Sequence, residues 1–90
     1  MRKRLHALFA GAVQGVGFRY TAERIARKFP VTGFVRNLPS GQVEVVAEGE
    51  ERPVGEFLAE IRQAFQSYIH DVETKWSEPS GGFEGFGIKF

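Results

Sequence analysis

Along this chain the apolar positions switch between a period of two and one of about 3.6, and the switches mark out its elements. Leu5 to Ala10 is apolar on both faces, as in a central strand. From Phe18 onward, Phe18, Ala22, Ile25, Ala26 and Phe29 form one helical stripe, with Glu23, Arg24, Arg27 and Lys28 on the opposite face. Pro30 is expected to end this helix, because proline lacks an N–H and disfavours helical backbone in the residue before it. A second strand is predicted over Val31 to Leu38, running into Leu38-Pro39-Ser40-Gly41. Proline in second place and glycine in fourth suit a type I turn with a glycine bulge. The third strand alternates, with Val43, Val45 and Ala47 predicted inward and Gln42, Glu44 and Glu48 outward. Gly49-Glu50-Glu51-Arg52-Pro53 opens a second helix, its proline near the first turn and its acids complementing the dipole. The stripe of that helix is Val54, Phe57, Leu58, Ile61, Phe65 and Tyr68. A fourth strand sets Val72, Thr74 and Trp76 against Asp71, Glu73 and Lys75, which places Trp76 in the expected core with the phenylalanines. Pro79-Ser80-Gly81-Gly82 reads as a turn, and Phe86, Ile88 and Phe90 alternate as a short last strand.

The order β-α-β-β-α-β, with one added terminal strand, predicts an α+β, ferredoxin-like split βαβ sandwich. Two helices would cover one face of a mostly antiparallel sheet. In that arrangement the first two strands run parallel with the third between them, so their carboxyl ends share one edge of the sheet. The loop Gly11-Ala12-Val13-Gln14-Gly15-Val16-Gly17-Phe18-Arg19 follows the first strand, and Asn37 closes the second. Topology thus brings Arg19 and Asn37 together although they lie far apart in the chain. No repeat, linker or low-complexity segment interrupts the pattern, so residues 1–90 are expected to form one domain.

Composition narrows the partners. Apolar residues make up 42% of the chain and nine of them are phenylalanine, enough to build a core and to argue against disorder. The formal net charge is +1, from 12 basic and 11 acidic residues, so no general affinity for nucleic acid or an anionic membrane is expected. The absence of cysteine excludes disulfides, thiolate metal sites and a cysteine nucleophile. No cleavage pattern follows Met1-Arg2-Lys3-Arg4, and no run approaches the ~20 apolar residues of a membrane span, so a soluble cytoplasmic protein is expected. His6 and His70 lack metal-ligand spacing and read as structural or exposed; Arg24, Arg27 and Lys28 read as a solvated helix face and Arg36 as a solvated strand residue.

The loop from Gly11 to Arg19 carries the candidate chemistry. A glycine-rich turn before a helix is in itself only a turn. Here, however, a strand, a flexible turn and a helix start stand in the order that aims backbone N–H groups at an anion. Arg19 adds a permanent charge with a planar fork of donors suited to phosphate or carboxylate. No Ser-His-Asp set accompanies it. Such a site suits a substrate that is already activated and needs positioning and charge stabilisation above all. A mixed carboxylic–phosphoric anhydride fits, because its carboxylate leaving group needs little acid assistance. Loop amides and Arg19 would hold the phosphoryl oxygens while the Asn37 carboxamide orients a water. An amide is no strong base, so its role would be alignment.

Gly11 to Arg19 resembles the first signature of the acylphosphatases, and Gly33-Phe34-Val35-Arg36-Asn37-Leu38-Pro39-Ser40-Gly41-Gln42-Val43, closing at Gly49, resembles their second. Trp76, Phe83, Phe86 and Ile88 are similar to the family's aromatic finish, so the likeness spans nearly the whole chain; the last residue is Phe90 where tyrosine or arginine is common, a change bearing on packing. The resemblance implies hydrolysis of acyl phosphates to a carboxylate and inorganic phosphate, with no metal or other cofactor and no covalent intermediate. It implies that Arg19 binds the phosphoryl group, that Asn37 positions the attacking water, and that the main chain of Gln14, Gly15, Val16, Gly17 and Phe18 forms the cradle. Inorganic phosphate is then both product and competing ligand, and the protein is expected to act as a monomer on a small molecule.

Two rivals share the element order. RNA-binding modules of this topology stack aromatics on the exposed face of the third strand. Here that face offers Gln42, Glu44, Val46 and Glu48, so no nucleic-acid partner is expected. Acylphosphatase-like domains also begin the large hydrogenase-maturation carbamoyltransferases, where the motif arginine is typically followed by proline; here Tyr20 follows Arg19. The alternative kept is an acyl- or carbamoyl-phosphate-binding or regulatory module with little turnover.

Overall fold

The computed structural model describes residues 1–90. Its elements are β1 (Arg2–Gly11), α1 (Phe18–Ala26), β2 (Thr32–Asn37), β3 (Val43–Glu50), α2 (Glu51–Ala64), β4 (Ile69–Ser77) and β5 (Phe86–Ile88). The five strands form one sheet in the order β4-β1-β3-β2-β5. Every neighbouring pair is antiparallel except β2 and β5, which run parallel. Because β1 and β2 both pair antiparallel with β3, they point the same way, as the expected ferredoxin-like topology requires. α1 lies over β2 and β5 and α2 over β1 and β3, which leaves β4 at the margin.

The core lies between the helices and the sheet. Leu5, Ala7 and Phe9 of β1 and Val43, Val45 and Ala47 of β3 are buried against Phe18, Ala22 and Ile25 of α1 and Val54, Phe57 and Ile61 of α2. One aromatic series fixes the start of α1. Phe18 packs 5.0 Å from Phe9 and stacks 4.5 Å from Phe65, just past α2. Burying such a ring stabilises the fold by about 1.5–3 kcal/mol, so Phe18 is a firm anchor for the loop before it.

Some sequence expectations are corrected. α1 ends at Ala26 rather than running on to Pro30. Arg27, Lys28 and Phe29 donate their N–H groups three residues back, so the last turn tightens before the proline is reached. Trp76 is 42% exposed and Phe90 90% exposed, so neither belongs to the core. For Trp76 the reason is its place on the edge strand β4, beyond the area the helices cover. The largest correction is Glu48. It does point to the sheet face away from the helices, yet it is only 1% exposed. Since β4 and β5 sit at opposite edges, the segment joining them must cross the sheet. It does so over the outer face, where Phe83 packs edge-on to Phe34 at 5.8 Å and Ser80 and Gly81 close over Glu48.

The Glu48 carboxylate accepts hydrogen bonds from the Ser80 N–H (2.8 Å), the Ser80 hydroxyl (2.8 Å), the Gly81 N–H (2.9 Å) and Arg4 (3.3 Å). Burial pushes its pKa up, but the Ser80 and Gly81 hydrogen bonds and the Arg4 charge outweigh that, and the carboxyl titrates below its ordinary value.

Candidate active site

At the edge where β1 and β2 end, residues 12–17 turn from the sheet into α1. Gly15 (φ +82°) and Gly17 (φ +77°) both hold left-handed backbone, which a side chain would strain. Gly17 is also the residue that caps α1. It offers no side-chain oxygen to the first helical turn, and that turn contains no acidic residue. The N–H groups of Gln14, Gly15, Val16 and Gly17 bond to nothing in the protein, and the first helical bond is Thr21 N–H to the Gly17 carbonyl. Those of Phe18, Arg19 and Tyr20 open the helix and have no carbonyl one turn back within it. A run of donors without internal partners therefore stands at the positive end of a helix dipole, anchored by the buried Phe18.

This cradle borders a pocket of about 220 Å³, lined by Val13, Gly15, Gly17, the first helical turn from Phe18 to Tyr20, and Asn37. Both predicted side chains, Arg19 and Asn37, reach it. Asn37 is the last residue of β2, beside Val43 at the start of β3. Neither the Arg19 guanidinium nor the Asn37 carboxamide hydrogen-bonds within the protein. The Phe90 ring lies 5.0 Å from the Arg19 guanidinium carbon, so the last residue touches the site, a contact that no local pattern in the sequence signals.

The hairpin beyond Asn37 is shaped as expected. Gly41 donates to the Leu38 carbonyl at 3.0 Å and has φ +94°, the glycine-bulge turn read from Leu38-Pro39-Ser40-Gly41. Gln14 reaches across to it. Its side-chain NH₂ donates to the carbonyls of Leu38 (2.8 Å) and Gln42 (2.9 Å), a side-chain role missed in a residue expected to act through its main chain. Arg36, expected to be solvated, instead donates to Glu44 at 2.6 Å, and His6 meets the other oxygen of Glu44 at 2.7 Å. Burial raises the Glu44 pKa, but the His6 and Arg36 contacts overcome it and hold the carboxyl below its ordinary value. That cluster lies on the outer face of the sheet and leaves Arg19 as the arginine lining the pocket.

A wider depression of about 520 Å³ lies between the end of α2 and the start of β4, lined by residues that include Arg62, Gln66 and His70. It gathers neither the free amides nor Asn37, so the smaller pocket is the one that brings the predicted side chains together. No group of three or more His, Asp or Glu side chains comes together in a way that could hold a metal ion.

The arrangement sets loop amides without internal partners, an arginine and a carboxamide around one pocket. The acylphosphatase family model matches residues 5–88, which include the cradle, Arg19, Asn37 and the hairpin. The chain belongs to the acylphosphatase family. An acylphosphatase of Methylococcus capsulatus is 52% identical over 87 residues, 96% of this chain and 95% of that one. The crystal structure of acylphosphatase from Bacillus subtilis superposes with a TM-score of 0.89 at 32% identity, covering 98% of this chain and 99% of that one. Full-length HypF in a phosphate- and nucleotide-bound form also superposes, with a TM-score of 0.90 at 30% identity, over the whole of this chain but 12% of that one. As an acylphosphatase, the protein is an enzyme that hydrolyses acyl phosphates, and its substrate is a small molecule. No helix is long and apolar enough to cross a membrane.

Proposed function

We propose that this acylphosphatase works by direct attack of water on the phosphorus of an acyl phosphate. In this reading the main-chain N–H groups of Gln14, Gly15, Val16, Gly17 and Phe18, together with the Arg19 guanidinium, hold the phosphoryl oxygens. Both kinds of donor gain strength as negative charge gathers on those oxygens in the transition state. The Asn37 carboxamide accepts from the attacking water and turns its lone pair toward phosphorus. The water oxygen bonds to phosphorus as the bond from phosphorus to the acyl oxygen breaks. The carboxylate departs with the electron pair, and the water's proton passes to the phosphate product or to solvent. No cofactor takes part.

The observation that carries this reading is that Arg19 and Asn37 line one pocket with Gly15 and Gly17, whose amides have no partner in the protein, while Gln14 and Val16 stand beside these two glycines without lining it. A shallow edge site that grips the phosphoryl end is permissive toward the acyl group, so acetyl, carbamoyl and aromatic acyl phosphates are all expected substrates. The outer face of β3 gives nucleic acid little purchase, since Glu44 and Glu48 are committed to internal partners. We read residues 1–90 as a single domain that acts as a cytoplasmic monomer.

The test is phosphate release from acetyl or benzoyl phosphate in the presence of a chelator, with Asn37→Ala compared to the parent. Turnover is expected to fall by about a hundredfold or more, while phosphate still inhibits with nearly unchanged affinity. The reverse pattern, weakened phosphate binding with turnover kept, would assign Asn37 to the wrong step.

A further inference from the structure

We infer that the Gln14 side chain is a positioning residue, a brace that fixes the phosphate half of the site against the water half. The inference rests on the assignment of Arg19 and Asn37 to those halves. Gln14 lies within the cradle, immediately before Gly15. Its NH₂ group has two hydrogens, and each meets a main-chain carbonyl of the β2–β3 hairpin, Leu38 at 2.8 Å and Gln42 at 2.9 Å. Both partners can only accept, so the orientation of the carboxamide is fixed by chemistry.

These two carbonyls belong to the residues that set the hairpin. Leu38 directly follows Asn37, and the Leu38 N–H donates to the Gln42 carbonyl at 2.9 Å. The Leu38 carbonyl in turn accepts from Gly41 at 3.0 Å. Gln14 therefore grips a turn that its own hydrogen bonds already hold rigid, one residue from the carboxamide that aligns water. No other side-chain hydrogen bond joins residues 12–17 to the hairpin.

The consequence is geometric. Phosphorus is placed by the cradle and the water by Asn37, and in-line attack needs both to sit within a fraction of an ångström of their working positions. Packing beneath Phe18 fixes the cradle from below, and the β2–β3 ladder fixes Asn37 from the side. Gln14 is the direct link between them. Its side chain is exposed and buries no apolar surface, so its loss leaves the core intact.

The experiment compares the parent, Arg19→Ala and Gln14→Met, in which a near-isosteric side chain has no donor. The readouts are kcat for acetyl phosphate, the inhibition constant of inorganic phosphate, and the melting temperature. Gln14→Met is expected to lose roughly tenfold to a hundredfold in kcat while phosphate inhibition shifts by no more than about twofold and the fold is kept, because the cradle amides are main-chain groups. The same substitution added to Asn37→Ala should lower the residual kcat by less than about threefold, since a brace has no effect once the group it aligns is gone. If Arg19→Ala turns over like the parent, the site assignment fails and the brace with it. If Arg19→Ala is inactive but Gln14→Met keeps the parent's kcat, or loses phosphate affinity and kcat in proportion, the brace is overturned while the site stands.

Discussion

Two glycine turns of this chain leave backbone N–H groups outside its secondary structure, one bonded to a carboxylate of the protein and one without an internal partner, and they stand at opposite ends of the sheet. At one end Ser80 and Gly81, the latter with φ +71°, close over the Glu48 carboxylate. At the other, Gly15 and Gly17, with φ +82° and +77°, shape a loop whose amides have no partner within the protein. The local device is the same, a left-handed glycine turning donors to one side. What differs is the origin of the anion. Glu48 is tethered to the middle strand of the sheet and nearly inaccessible, so its latch holds the C-terminal segment over the outer face. The cradle borders an open pocket with a free guanidinium, and in the proposed function its anion is the substrate's phosphoryl group, arriving from solvent. On that proposal one site serves stability and the other serves chemistry, and substitutions should separate them.

The largest effect is expected at the cradle. Arg19→Ala should lower kcat/KM for acyl phosphates by at least the ~3–4 kcal/mol typical of a lost charge-stabilising donor, with the melting temperature hardly changed because Arg19 makes no internal hydrogen bond or ion pair. Steady-state kinetics beside a thermal melt checks both halves. A large fall in stability would mean that the cradle, too, is part of the fold's support.

Glu48→Gln is the mirror experiment. A carboxamide cannot accept from all four donors, and the buried N–H groups left wanting should cost about 3 kcal/mol at neutral pH. At roughly 4–8 °C per kcal/mol for a domain of this size, the melting temperature should fall by more than about 10 °C, while kcat measured well below it stays near the parent's. The sign with pH follows from the lowered pKa. The folded carboxyl ionises more readily than the unfolded one, whose ordinary value is 4.5. Its contribution is therefore complete above that value and is lost as pH falls through the lower folded one. Melts from neutral to acid pH should show the parent converging on Glu48→Gln in the acid range. Curves that stay parallel would show that the carboxylate charge does not hold the latch.

The two sites also differ in how far the sequence discloses them. The cradle is legible because its causes are local: a strand, glycines, a helix start and Arg19 follow one another, and the parallel course of β1 and β2 supplies Asn37. The latch is not, because Glu48 and Ser80 alternate and turn correctly in their own neighbourhoods while nothing local says that they meet. Alternation assigns Glu48 to the outer face, and only the crossing from β4 to β5 makes that face an interior. Trp76 is misread for the complementary reason. Its period is that of a buried face, but its strand ends up at the edge. Period tells which face a residue takes, and topology decides whether that face is covered.

A smaller effect sharpens the contrast through linkage. Inorganic phosphate, binding the folded cradle, should stabilise the parent by about 1.4 kcal/mol at ten times its Kd, a rise of several degrees in a thermal melt. Glu48→Gln should keep this increment on its lowered baseline, and Arg19→Ala should lose most of it. An increment retained in Arg19→Ala would place the anion elsewhere on the surface.

The smallest effect expected lies where the two regions are joined by covalent chain. The segment that Glu48 latches continues as β5, pairs in parallel with β2, and ends at Phe90 against Arg19. That contact is exposed, with the ring 5.0 Å from the guanidinium carbon, and such cation–π pairs are worth about 0.5–1 kcal/mol. The ring cannot hold phosphate, but it limits the directions in which a long, otherwise free side chain can swing. Phe90→Ala should then weaken phosphate binding by roughly twofold to fivefold, with the same loss in kcat/KM and no loss of stability, whereas Phe90→Trp should keep or improve both. If Phe90→Ala binds phosphate as the parent does, the ring merely rests on Arg19, and the latch and the cradle work independently.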